Sequence, residues 1–261
     1  MSRLIKPLLL VFALSASAAC LAQSEPLEVR ISGAVLAPNT YSFAPGARLH
    51  DASRTAQVST EAWPLGAALL RQSAIEAQLR LKAGVLFDLR VNRVHAIAEE
   101  KPALEALIDR FERVVKALPV TGRVVAQLNP LQQLLLANND LLESGDHIVY
   151  PPRAAQVIVT GAVEQDCRLA FVPTQQPVEY LHQCARLPLA DRNAVYVIQP
   201  DGTHQLRGIA HWNTEPANVA VGAVLYVPIR SGQLAAETPD LNQELAALLA
   251  TQYQDRGRIG E

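Results

Sequence analysis

The 261-residue chain has three cysteines, one methionine and only 5% aromatic residues. It has no Gly-rich phosphate loop and no Gly-x-Ser-x-Gly, and none of its six histidines has another at helical ligand spacing. These gaps argue against a P-loop nucleotide site, a serine-hydrolase elbow and a helical zinc site. Basic residues number 23 against 25 acidic, without a basic stripe, which argues against nucleic acid as a partner. No apolar run reaches the length of a membrane span. From residue types and spacings no catalytic residue, metal ligand or cofactor is assigned. Paired acids such as Glu99-Glu100 sit in an expected turn, where solvated charge is the plain reading.

What the chain does contain is a repeat. Val29-Arg30-Ile31-Ser32-Gly33-Ala34-Val35 returns as Val157-Ile158-Val159-Thr160-Gly161-Ala162-Val163. A second strand follows each copy, Tyr41-Ser42-Phe43 and then Leu169-Ala170-Phe171. Each unit closes on a similar phrase, Gly145-Asp146-His147-Ile148-Val149-Tyr150-Pro151 and Gly222-Ala223-Val224-Leu225-Tyr226-Val227-Pro228. A repeat this long indicates duplicated modules, in keeping with the chain length.

The N-terminus reads as an export signal. Arg3 and Lys6 precede the apolar Leu8 to Leu14, and small residues lead to Cys20-Leu21-Ala22. Cleavage near Ala22 would release a periplasmic protein; the alternative is lipoprotein processing at Cys20. Two cysteines remain, Cys167 and Cys184, and an oxidising compartment favours a disulfide between them. A metal reading through His182 lacks a fourth ligand at a recognisable spacing.

The expected order is a signal peptide at 1–22, a first module at 25–152 with a helical insertion at about 62–118, a second module at 154–231 and an amphipathic helix at 238–254. The insertion reads as two antiparallel helices. One carries Ile75, Leu79, Ala83, Leu86, Phe87, Val94 and Ile97; the other carries Leu107, Ile108, Phe111, Val114, Val115 and Leu118, ended by Pro119. The simplest reading buries their apolar stripes on each other. The segment 131–142 is apolar but irregular. Thr121-Gly122-Arg123-Val124-Val125-Ala126-Gln127-Leu128 is expected as a strand returning to the sheet. In the second module, strand, strand, helix from Pro177, strand, Pro200-Asp201-Gly202 turn and strand follow in the order of a β-grasp unit. The fold class is α+β, with two tandem β-grasp domains. In the tail, Thr238 is the expected N-cap and Leu241, Leu245, Leu248 and Leu249 share one face; docking on the second module is the expected use of that face.

With these features in hand, the chain resembles the GfcC family of periplasmic capsule-biosynthesis proteins, found with group 4 capsule and exopolysaccharide operons. The residues that carry the resemblance are Trp63-Pro64, Thr121-Gly122-Arg123, Gly161-Ala162-Val163, Val197-Ile198-Gln199-Pro200-Asp201-Gly202 and Asp240-Leu241-Asn242. The resemblance implies two β-grasp domains of SLBB-like type, similar to periplasmic domains of the Wza-type export lipoproteins. It implies an accessory role in polysaccharide assembly or export, with a surface polysaccharide, an outer-membrane polysaccharide export protein, or both as partners. It also implies a surface pocket at Arg123. A guanidinium in such a pocket would suit an acidic or phosphorylated sugar, with Trp63 as a second candidate contact. The alternative is a polysaccharide-modifying enzyme with its pocket around Arg123 and a nearby carboxylate as base. Trp212, like Trp63, is expected to anchor packing rather than to stack on sugars.

Overall fold

The computed structural model describes residues 25–253; the expected signal segment lies outside the described residues. Two five-stranded mixed sheets with the same strand order account for the repeat. The first contains β1 (Leu27–Gly33), β2 (Asn39–Phe43), β3 (Ala68–Leu70), β4 (Arg123–Val124) and β5 (His147–Tyr150), in the order β2-β1-β5-β3-β4. The second contains β6 (Gln156–Gly161), β7 (Cys167–Ala170), β8 (Ala194–Ile198), β9 (His204–Gly208) and β10 (Val224–Val227), in the order β7-β6-β10-β8-β9. Each first strand pairs antiparallel with the next and parallel with the closing strand.

The repeated Gly-Ala-Val has a local physical cause. Gly33 ends β1 at φ +90°, and a Cβ there would lie 2.1 Å from the Tyr150 carbonyl oxygen of the parallel neighbour. Gly161 repeats this at φ +104°, 2.3 Å from the Val227 carbonyl oxygen. The next amide, of Ala34 or Ala162, donates to that same carbonyl at 2.7 or 2.8 Å. Only glycine lets the strand turn away while its backbone stays this close.

The helices are α1 (Leu49–Ala56), α2 (Ile75–Ala98), α3 (Pro102–Ala117), α4 (Pro177–Leu181) and α5 (Leu241–Ala250). Pro102 opens α3 and Pro177 opens α4, where a missing amide costs nothing. The strand β3 lies within the span read as insertion. The helical pair α2–α3 emerges between β3 and β4, where the second sheet has only the turn at Pro200 to Gly202 between β8 and β9.

The two long helices do not simply bury their stripes on each other. Val85 and Leu89 of α2 and Leu104, Ile108, Phe111 and Val115 of α3 share one core with the second sheet and α5. Phe111 lies against Tyr226 with ring centroids 6.3 Å apart. The second sheet is therefore covered on both faces, which explains why all four residues of β10 are buried. The first sheet has a separate core with α1, built on Val29, Ile31, Leu49 and Tyr150.

Two local expectations are corrected and one open segment is settled. The run from Thr121 to Leu128 forms a strand of two residues only, Arg123–Val124, since β3 is short and gives it little to pair with. The segment 131–142 folds as two single 3-10 turns, leaving Leu131, Leu134, Leu135 and Leu136 exposed. The residue at the N-cap position of the tail helix is Asp240 rather than Thr238, and it makes no side-chain capping bond. Thr238 is instead buried and accepts a hydrogen bond from Asn92 of α2 at 2.7 Å. The disulfide joins Cys167 of β7 to Cys184 just past α4, with Cα atoms 6.0 Å apart. In the chain-entropy account a loop of this size stabilises by about 3 kcal/mol. Among the described residues no helix is long and apolar enough to cross a membrane.

Candidate functional site

Thr121-Gly122-Arg123 enters β4 at the point where both sheets, α2 and the tail meet. Gln78 of α2 is buried there and brackets the motif. Its carboxamide oxygen accepts from the Gly122 amide at 2.9 Å, and its nitrogen donates to the Arg123 carbonyl at 2.8 Å. The Thr121 hydroxyl donates to the Thr251 carbonyl at 2.8 Å, at the C-terminal end of α5.

The Arg123 side chain crosses into the second module. It is 7% exposed. One terminal nitrogen donates to the carbonyls of Gln252 at 2.9 Å and Ala250 at 3.4 Å. The other donates to Ala67 at 3.3 Å and to Pro200. The carbonyls of Ala250 and Gln252 belong to the negative end of the α5 dipole, so a cation is favoured beside them. Burial nonetheless lowers the guanidinium pKa to about 10, and the charge of Asp201 acts the other way. The Asp201 carboxylate is held by the Thr203 amide and hydroxyl, at 2.8 and 2.7 Å. The guanidinium Nε is buried, with no hydrogen-bond partner among the described residues.

Trp63 occupies the same place from the other side. It is 7% exposed, and its ring leaves no room for a Cβ at Gly66 or at Gly222. Gly222 belongs to the turn before β10, so this contact also joins the two modules. Trp63, Arg123, Pro200, Gly222 and Leu249 bound one cavity of about 20 Å³. That is room for about one water molecule. The structure thus brings together Trp63 and Arg123, far apart in sequence, but around a nearly closed space. The guanidinium is a clamp on four backbone carbonyls drawn from both modules and the tail. Sequence reasoning missed Gln78, which looked like a polar residue on an amphipathic helix. It also missed Pro200 and Gln252, whose parts are played by backbone carbonyls and leave no trace in side-chain type.

Trp212 departs from its expected packing role. It stands 76% exposed in the loop after β9. Cys167 and Cys184 are consumed by their disulfide, which leaves no thiolate for the metal reading through His182.

Two comparisons bear on identity. Residues 165–253 match the family model described as Capsule biosynthesis GfcC C-terminal. The span takes in most of the second sheet and the tail helix, including Pro200 and Gln252 of the Arg123 clamp. The chain is also 28% identical over 189 residues to the uncharacterized protein YjbG of Escherichia coli (strain K12), covering 72% of this chain and 75% of that protein. These matches support a GfcC-like capsule-biosynthesis family for the chain.

Proposed function

We propose that this chain is a periplasmic accessory protein in the assembly or export of a capsule or exopolysaccharide, binding glycan, export machinery or both rather than transforming a substrate. Its two modules are read as β-grasp domains of SLBB-like type, exported by a signal peptide cleaved near Ala22. The disulfide and the family match support the periplasm. The observation that carries the binding reading is the state of Arg123. It is a buried cation bonded to carbonyls, with no carboxylate among its hydrogen-bond partners and one nitrogen without a partner among the described residues. An acid–base catalyst needs a titrating group within hydrogen-bond reach of the reacting atoms. A guanidinium nitrogen beside an indole instead suits capture of an anionic group, with Arg123 and Trp63 as the ligand contacts. Entry of a sugar unit requires the α5 end at Gln252 to move aside.

The test is calorimetric titration of the purified protein with acidic fragments of the surface polysaccharide from its own source. Saturable binding is expected, and Arg123→Lys, which keeps the charge but loses the fork, is expected to weaken it at least tenfold. Thermal unfolding of the same variant separates lost binding from lost fold. A folded wild-type protein that binds no fragment would overturn the glycan part of the reading and leave the export machinery as the partner.

A further inference from the structure

We propose that the outward face of α2 is a self-association seam, on which α2 of a second copy lies antiparallel. The helix is 24 residues long and apolar on two opposite faces. Its inner face, through Val85, Leu89 and Ala96, is buried in the core shared with the second sheet. Its outer face carries Leu79, Phe87, Val94 and Ile97, each more than half exposed. These four run along one side of the helix for about 27 Å. A soluble helix ordinarily turns charged residues outward, and one that is apolar all round is ordinarily covered all round.

The spacing identifies the kind of cover. Ala83, Phe87, Arg90, Val94 and Ile97 follow one another at intervals of four, three, four and three, the alternation of a helix that packs along another helix. Within this seam Arg90 is the charged interruption, and it selects both orientation and occupant. Parallel pairing of two copies would set Arg90 against Arg90. Antiparallel pairing, with the two-fold axis between residues 88 and 89, sets each Arg90 over the Phe87 ring of the other copy, a favourable cation–π arrangement. In the same register small Ala83 meets Val94, and the stem of Arg80 lies along Ile97. Glu76 comes to the turn that carries Lys101. Arg90 is free to serve, since its side chain is 63% exposed and its ion pair to Glu112 is long at 3.7 Å. Glu112 keeps Lys116 as a closer partner at 2.7 Å.

A single helix pair falls at the small end of specific interfaces, about 1,200 Å² in total, so the association is weak and reversible. The inference does not depend on what the Arg123 cavity binds.

Sedimentation equilibrium of the purified protein from about 5 to 500 µM tests it, the range expected for an interface of this size. A monomer–dimer equilibrium is expected, weakened at least tenfold by Phe87→Arg, which sets like charge against Arg90 of the other copy, with no loss of thermal stability, because Phe87 is exposed. Ala83→Cys protein mixed with Val94→Cys protein is expected to cross-link under mild oxidation, whereas Val94→Cys protein alone is not. A monomer throughout the concentration range overturns the proposal. So does a dimer indifferent to Phe87→Arg, or recovery of the protein on phosphatidylcholine vesicles in a manner lost with Phe87→Arg, which would make lipid the occupant.

Discussion

Arg123 illustrates how one side chain can stabilise by position rather than by ion pairing. Four backbone carbonyls from three parts of the chain have no other visible reason to converge, and a planar five-donor fork is the group that can serve them together. Arg71 does the analogous work inside the first module, with a bidentate pair to the buried Asp146 at 2.9 and 2.8 Å and a bond to the Leu141 carbonyl. His147 gives the clearest pH signature. Burial, and secondarily the charge of Arg30, lower its pKa, and its ring shares a 2.8 Å hydrogen bond with the Ser32 hydroxyl. A base whose folded pKa is lowered is neutral in the fold while the unfolded chain takes up a proton. The stability it contributes is present above about pH 6.5, the unfolded value, and is lost as pH falls toward its folded value. The denaturant midpoint is therefore expected to drop on going from pH 7 to pH 5, and His147→Gln is expected to flatten that part of the profile.

At the scale of elements, the tail is fastened by polar side chains as much as by its leucines. Asn92 of α2 is fully buried, accepting from the Ala235 amide at 2.9 Å and donating to Thr238. Asn242 brackets Ile229, accepting from its amide at 2.9 Å and donating to its carbonyl at 2.7 Å. From the opposite side, Arg110 of α3 donates to the carbonyls of Gly161 and Val163 at 2.6 and 2.8 Å, gripping the second Gly-Ala-Val turn. Removing Asn92 leaves the buried Ala235 amide unpaired and takes from the Thr238 hydroxyl its donor, at a cost of about 2–3 kcal/mol. Asn92→Ala is expected to speed hydrogen exchange in α5 and in the 235–240 segment well before it does so in the first sheet. Uniform loss of protection across the chain would argue against a separately fastened tail.

For the whole molecule, the decisive fact is that helices rooted in the first sheet complete the core of the second. A module cut off after residue 152 would expose the inner faces of α2 and α3, and a second module alone would expose Tyr196, Ile198 and Tyr226 on its uncovered face. The two repeats are therefore expected to unfold in one cooperative transition, with calorimetric and van't Hoff enthalpies in agreement. Two resolved transitions would show that the shared core is weaker than it looks.

Much of this architecture is carried by local pattern. The alternation through Val29 and Ile31, the Gly-Ala-Val turns, Pro102 and Pro177 at helix starts and the pairing of Cys167 with Cys184 follow from chain stereochemistry and compartment, and they can be read along the sequence. The β3 strand could not be read, because three residues are too few to show alternation. Nor could the burial of Arg123 or the exposure of Trp212, Phe87 and Val94. An apolar helical stripe looks the same whether it faces a core or solvent, and α2 carries two such faces. Which one the second sheet covers depends on where β3 and β4 launch and receive the helical pair. Backbone carbonyls such as those of Pro200 and Gln252 are present at every residue, so their convergence on one guanidinium exists only once distant segments have been brought together.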